Sequence, residues 1–504
     1  MIAKVASVAL VGFDGQLVEV ETDLKQGLPG IQIVGMGNKA IDEARERVRS
    51  AIHNSLLDFP TRKMTVNLAP AELPKDGAHF DLPIALSILA ASGQLRSTEV
   101  AKTVFAGELA LDGQIRTIRG AITIAEAARD HGFASVIVPA ANQAQAALVK
   151  GIAVYGASSL KELFLHLKGE VPLPLATAAT SLEAPRQPSP TLDDISGQAQ
   201  AKRALQIAVA GRHNVLLCGP PGAGKTMLAK ALLGLLPPLS DTEGLAVTKI
   251  HSLAGEIDGD VVTTRPFRSP HHTTSSIALI GGGAKARPGE ISLAHLGVLF
   301  LDELPEYNRS ALEALRQPLE DRQISIARAN GRVTYPADFM LVATMNPCPC
   351  GYLGDSSREC VCSTSQILAY QKRLSGPLLD RIDLIINVSK VDTNSLLSIT
   401  SLRKTQQSSV VSEILTTKSI QHNRFKRDTI YNASLSSSDI KKYLTLSPDA
   451  KDLLTKASQN LNLTARSYFK VIKVAQTIAD LAAAPQIEAN HISEALQYRV
   501  TPQT

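Results

Sequence analysis

Apolar and polar residues alternate in short bursts through the first third of the chain. Leu17 to Val20, Ile31 to Val34 and Met64 to Leu68 carry the period-two pattern of half-buried strands. Ala40 to Asn54, Leu82 to Ala91 and Ile122 to His131 instead space their apolar positions three and four apart, as helices with one buried face do. The mixture predicts an α/β or α+β domain over residues 1–168. From Gly169 to Pro190 the pattern gives way to Pro, Ala, Ser and Thr, with Pro172, Pro174, Pro185, Pro188 and Pro190, which favours an extended tether over 169–190. Strands and helices alternate again over residues 191–393, as in a layered α/β core. Residues 394–504 read as helical, best at Ala450 to Leu461, Ser467 to Leu481 and Asn490 to Tyr498. Ser401 to Ile430 holds six Lys/Arg against two acids among many Ser and Thr, which reads as a solvated excursion or as an arm for a polyanion.

At 504 residues the chain has room for roughly two to four domains with cores of their own. A net charge of +5 permits a polyanionic partner without demanding one. With no Trp and 4% aromatic residues, base stacking is a poor main grip, and contact with a phosphate backbone fits better. Lys4 and then a short apolar stretch broken by Asp14 do not make a signal peptide, and no uncharged apolar run approaches membrane-spanning length, so a cytoplasmic protein with no membrane partner is expected. Four of the five cysteines fall between Cys348 and Cys362, unlike a secreted disulfide framework.

The strongest chemistry lies in Gly219-Pro220-Pro221-Gly222-Ala223-Gly224-Lys225-Thr226, between the apolar run Asn214 to Cys218 and the helix-forming run Met227 to Leu236. Glycines there free backbone N–H groups to wrap a phosphate, and the helix N-terminus adds favourable partial charge. Lys225 reaches β- and γ-phosphates and Thr226 holds Mg²⁺, so the ligand is ATP with Mg²⁺. A second apolar strand, Val298 to Leu301, ends in Asp302-Glu303. Asp302 would complete the Mg²⁺ shell through water and Glu303 would polarise the attacking water. A third, Phe339 to Thr344, leads to Asn346, which is either a holder of that water or an ordinary turn residue before Pro347. Cys348-Pro349-Cys350 and Cys360-Val361-Cys362 bracket a polar loop. Four thiolates close a tetrahedral Zn²⁺ site, although the one-residue spacing departs from the usual two to four; reduced thiols and a redox disulfide are the alternatives.

Together with Leu378-Leu379-Asp380-Arg381-Ile382-Asp383, these motifs resemble the AAA+ ATPases. Arg268-Ser269-Pro270-His271-His272, Gly281-Gly282-Gly283 and Ser375 to Arg381 are similar to their magnesium-chelatase-like branch. The resemblance implies a P-loop AAA+ core with a helical lid. In it Arg381 is the finger inserted against a neighbour's γ-phosphate, Arg466 of Thr464-Ala465-Arg466 is the lid arginine, and the assembly is a homo-hexamer. The residues alone leave Arg381 a local ion pair with Asp380 or Asp383.

Two insertions are candidates for what a ring grips. Ile324 to Tyr335 alternates around Asn330-Gly331, a hairpin signal, and carries Arg328 and Arg332. Val261 to Glu290 carries Arg265, Arg268, Lys285 and Arg287 against one acid. In this branch such insertions face the pore, where arginines would neutralise phosphates; a purely structural hairpin is the alternative. His271 and His272 lack an adjoining Cys or acid cluster, which argues against a metal.

Pro74 to Leu82 and the stretch from Gly107-Glu108-Leu109 to Pro139 are similar to the proteolytic domain of Lon. The nucleophile's place holds His79 or Phe80 and that of the lysine holds Ile122, so the expectation is a Lon-protease-like α/β domain without peptidase activity. With Gly27 to Gly35 and Glu43 to Val48, nearly the whole chain resembles the ComM (YifB) family. That resemblance implies an ATP-driven hexameric helicase acting on single-stranded and branched DNA, promoting branch migration in natural transformation, with recombination proteins as potential partners. The rivals are the ATPase subunit of a metal chelatase, an ATP-dependent protein remodeller or protease, and an ATP-gated scaffold.

Overall fold

Alternation along Ile2–Val11 sets up the first domain: Ala3, Val5 and Ala9 pack into one hydrophobic cluster and Val8 into another, so the strand is covered on both faces. The computed structural model describes residues 2–499 apart from 36–38, 74, 178–189, 258, 284–286, 329–330, 356–357, 391–405 and 428–429. In the first domain a seven-stranded mixed sheet runs in the order Gly30–Val34, Lys63–Ala69, Asp14–Lys25, Ile2–Val11, Thr103–Phe105, Ser135–Pro139, Ala153–Ala157. Helices Lys39–Asn54 and Asp81–Ala91 share the cluster on one face, and Ala121–Asp130 lies in that on the other. The chain does not leave this domain at Gly169. Leu173 is buried and Leu175 bridges Tyr155, so the start of the expected tether closes over the domain, while residues 178–189 lie outside the described residues.

The second domain is a five-stranded parallel sheet in the order Phe267–Arg268, Val298–Leu301, Met340–Met345, Val215–Cys218, Leu384–Asn387. Strict alternation divides it between two cores. Val215, Leu217, Val298, Phe300, Val342 and Ile386 face helix Ala199–Gly211 and the C-terminal helices; Leu216, Leu299, Leu301, Leu341 and Ala343 face helices Arg309–Ala314 and Gly376–Leu379. Helices Pro448–Asn460, Ala465–Leu481 and Ala489–Gln497 therefore share a continuous core with the sheet.

Residues 406–425 are neither excursion nor loose arm. They form a 20-residue helix whose Ile414, Thr417, Gln421 and Phe425 are buried. Polar residues at two of those four positions hide its buried stripe from a hydrophobicity pattern.

The two domains touch through helix Asp241–Ala254. Lys249 Nζ pairs with Glu126 at 2.5 Å and lies 4.0 Å from the Phe13 ring centroid, and Ser252 Oγ accepts from Gly120 N at 3.1 Å. Phe13 also meets Tyr335 edge to face at 6.4 Å, and a Cβ on Gly12 would lie 2.2 Å from Val333 Cγ1. The hairpin Gln323–Arg328/Gly331–Pro336 thus leans on the first domain. Its register pairs Arg328 with Gly331, so Gly331 belongs to the second strand, while Asn330 lies outside the described residues. Among the described residues, no helix is long and apolar enough to cross a membrane.

Candidate nucleotide site

In a parallel sheet every strand ends at the same edge, and loops leaving that edge converge. Register places Cys218 beside Met345 and Asn387, and Leu301 beside Ala343. The segments that follow, Gly219–Thr226, Asp302-Glu303 and Asn346, therefore meet. Gly219 N donates to Met345 O at 3.2 Å, and a Cβ on Gly219 would fall 2.1 Å from Val388 O, so only glycine fits. Pro220, Pro221, Gly222, Ala223 and Gly224 complete the loop, with Gly222 and Gly224 at φ 77° and 85°. Helix Lys225–Ala231 starts directly behind it.

Lys225 Nζ donates to Gly219 O at 2.7 Å, Pro220 O at 2.9 Å and Asn346 Oδ1 at 3.1 Å. Burial lowers its pKa, against the opposing pull of charges at Cys218, Asp302 and Glu303. A lysine curled onto loop carbonyls is well placed to exchange them for phosphate oxygens. Thr226 Oγ1 donates to Asp302 Oδ2 at 3.3 Å, joining the two groups expected at Mg²⁺. Thr344, a residue the sequence reading did not single out, donates to Asp302 Oδ1 at 2.5 Å and accepts from Glu303 N at 3.0 Å. It fixes Glu303 at φ 53°, a left-handed backbone seldom adopted by non-glycine residues. The signal was present: Thr344 is the one polar residue in the run Phe339 to Met345.

Arg381 lies at the opposite edge of the sheet. It precedes strand Leu384–Asn387, and its carbonyl accepts from Asn214 Nδ2 at 3.0 Å, just before Val215–Cys218 begins. Arg381 pairs with Glu320 rather than with Asp380 or Asp383, and Arg466 Nη2 reaches the other oxygen of Glu320 at 3.0 Å. Asp383 serves the lid instead. Lys470 Nζ lies 2.8 Å from its carboxylate and Asn214 N donates at 2.9 Å. Burial opposes its charge, yet Lys470 and His213 hold its carboxyl far below the usual carboxylate range.

The four cysteines converge. Sγ atoms of Cys348, Cys350 and Cys360 are 3.3–3.6 Å apart, and Cys362 completes a group with all ligand atoms within 4.8 Å. A tetrahedral site with Zn–S bonds of about 2.3 Å needs sulfurs about 3.8 Å apart, so the donor set fits that ion. A backbone N–H at Tyr352 draws the Cys350 thiol down to about 6, with further pull from Val361 and Cys348. The loop they enclose packs on the nucleotide site, where a Cβ on Gly351 would lie 2.7 Å from Pro221 Cδ.

The basic residues divide. Arg265 is internal, 5% exposed, paired with Glu243 at 2.8 Å and donating to Pro237 O and Leu296 O, so its donors are engaged within the chain. Arg268 is 23% exposed and pairs with Glu290, Nε at 2.7 Å and Nη2 at 2.8 Å, and with Glu256 at 3.4 Å. Arg287 and Arg332 are exposed; Arg328 lies at the hairpin tip, and Lys285 falls outside the described residues. In the first domain His79, Phe80 and Ile122 are all buried, and His79 Nε2 lies 3.0 Å from Val8 O.

A P-loop, an Asp-Glu strand end and an Asn strand end on one parallel sheet, with a helical lid sharing its core, define a magnesium-chelatase-like AAA+ protein. Residues 191–396 match the family of magnesium chelatase subunit ChlI, 404–499 its C-terminal part, and 20–142 the family described as subunit ChlI of Mg-chelatase. The chain is 45% identical to competence protein ComM of Haemophilus influenzae over 503 residues, covering 99% of this chain and 97% of that one. It is 43% identical to YifB of Salmonella typhimurium over 507 residues, with 99% and 97% covered. A magnesium-chelatase 67 kDa subunit of Heliobacterium mobile is 28% identical over 183 residues, 30% of this chain and 27% of that one. The chain belongs to the ComM/YifB family.

Proposed function

We propose that this chain hydrolyses ATP at the seams of a homo-hexameric ring and uses it as a helicase, moving DNA in the cytoplasm to drive branch migration during natural transformation. One observation carries the interfacial part. Lys225, Thr226, Asp302, Glu303 and Asn346 gather at the C-terminal edge of the sheet, while Arg381 sits at the N-terminal edge. A four-residue strand, about 13 Å long, lies between the two edges. Arg381 therefore serves another protomer's nucleotide, and turnover depends on assembly. Lys225 and the loop N–H groups bind the phosphates, Glu303 orients water, Asn346 holds it, and Arg381 with Arg466 neutralises developing charge. Thr226 and, through water, Asp302 would hold Mg²⁺, which would supply further charge neutralisation.

The track is the finer part of the reading. Its support is the full-length similarity to a protein named for competence, together with the exposed Arg287 and Arg332 and the hairpin-tip Arg328. A chelatase subunit is the second reading, favoured by the family matches, but the chelatase subunit of Heliobacterium mobile aligns with only 30% of the chain at 28% identity, against 99% at 45% for the competence protein. We place Zn²⁺ on Cys348, Cys350, Cys360 and Cys362 as a structural clip. The test is the ATPase rate with single-stranded, duplex and branched DNA at several salt concentrations. Stimulation that weakens steeply with salt supports DNA as the track; no stimulation by any DNA contradicts it.

A further inference from the structure

Arg381 and Arg466 come from segments 85 residues apart in sequence, yet both end on one side chain. Glu320 spends one carboxylate oxygen on Arg381 Nη2 and the other on Arg466 Nη2, the latter at 3.0 Å. Two guanidinium groups brought this close repel each other unless an anion lies between them, and a carboxylate with two acceptor oxygens suits that task. Among the described residues, the Arg381 side chain is otherwise tethered only by Nη1 donating to Pro377 O at 2.7 Å, and its buried Nε has no partner. Each Nη group carries a second hydrogen, so the arginine can stay on Glu320 and still donate to a phosphate.

Glu320 is also well placed to move both arginines at once. It lies in helix Arg316–Asp321, whose Arg316 Nη2 donates to Ser375 Oγ at 3.1 Å in the segment leading to Arg381. The hairpin strand Gln323–Arg328 begins three residues after Glu320. A displacement of the hairpin thus reaches the carboxylate through a single short helix.

We propose that Glu320 is a positioning residue that binds Arg381 and Arg466 into one unit, presented to the same neighbouring nucleotide. This rests on the reading of Arg381 as the group that completes an adjacent protomer's site. Without the carboxylate the arginines separate and misalign, which slows the chemical step and leaves nucleotide binding to the distant phosphate loop nearly unchanged.

The experiment measures kcat and KM for ATP in full-length Glu320→Ala, Glu320→Gln, Arg381→Ala, Arg466→Ala and the Glu320→Ala/Arg466→Ala double variant, with thermal melts alongside. Misplacement of a charge-stabilising group by about an ångström costs up to about 100-fold, so kcat of Glu320→Ala should fall about 10- to 100-fold with KM within about twofold. Glu320→Gln, which keeps one acceptor oxygen, should lie between it and the unmodified protein and guards against misfolding of the alanine variant. In the double variant the losses should be clearly less than multiplicative, since both act through one unit. An unchanged or raised kcat in Glu320→Ala, or strictly multiplicative losses in the double variant, overturns the proposal while an inactive Arg381→Ala leaves the interfacial reading standing. Arg381→Ala at full rate overturns both.

Discussion

Lys225 donates from Nζ to Asn346 Oδ1 at 3.1 Å, linking the phosphate loop to the end of the neighbouring strand. The bond holds both groups where a γ-phosphate and its attacking water would sit. Asn346→Ala leaves the loop sequence intact and removes the group we propose holds the water. Its kcat should fall roughly 100-fold, by analogy with the loss of a single charge-stabilising donor elsewhere, with ATP affinity within a few-fold. Steady-state kinetics with a fluorescent-nucleotide titration checks both halves.

Thr344 joins Asp302 to Glu303 through a single hydroxyl. Thr344→Val keeps the volume and deletes both bonds, leaving the Glu303 N–H and an Asp302 oxygen without that partner. Stability should drop by about 1–3 kcal/mol and turnover should fall, because the left-handed backbone of Glu303 is then held on its carbonyl side, by Glu306 N, but no longer on its N–H side by Thr344. Glu303→Gln should keep ATP binding and assembly while stopping hydrolysis. Thermal melts, sizing in ATP and phosphate release distinguish the two variants.

The buried pair Asp383–Lys470 fixes the lid to the core. Asp383 has its folded pKa depressed, so its stabilisation is present above the unfolded carboxyl value near 3.9 and is lost as pH falls below it. Removing one member of a buried pair costs about 3–5 kcal/mol. Asp383→Asn should therefore lower the melting temperature clearly at pH 7, and the gap from the unmodified protein should shrink as pH drops below about 4.

Gly351, inside the cysteine loop, lies against Pro221. With φ 85° and an added Cβ only 2.7 Å from Pro221 Cδ, Gly351→Ala strains the backbone and presses on the phosphate loop. ATP affinity should fall several-fold without loss of bound metal. Stripping Zn²⁺ with a chelator, or Cys348→Ser, should lower both the melting temperature and ATP affinity. Metal analysis beside the nucleotide titration separates the two routes.

Much of this site is legible in the sequence because its parts are local. A phosphate loop between a strand and a helix, and acids at the end of an apolar strand, declare their positions by short-range pattern alone. The sheet then brings Lys225, Asp302 and Asn346 together by setting Val215–Cys218, the first of its strands in sequence, beside Met340–Met345, an arrangement that chain order alone does not give. What the pattern cannot carry is side-chain pairing across long separations. Arg265 and Arg268 look like free cations in a basic insert, yet Glu243 and Glu290, each 22 residues away, neutralise them. Glu320 is an unremarkable surface acid until folding brings it to Arg466, 146 residues on. The helix Gln406–Phe425 hides for another reason: buried Thr417 is satisfied by Glu413 O of its own helix and buried Gln421 by Ala210 O across the core, so its buried face is not apolar.

The central claim is that a protomer cannot complete its own site. Arg381→Ala subunits mixed with Lys225→Ala subunits test it most directly, with phosphate release measured in rings shown to contain both. Each variant alone should be nearly inactive. Mixed rings should regain activity, because seams that pair an intact phosphate loop with an intact Arg381 form again. Mixed rings that stay inactive, or an unmodified chain that hydrolyses ATP at full rate as isolated monomers, would contradict it.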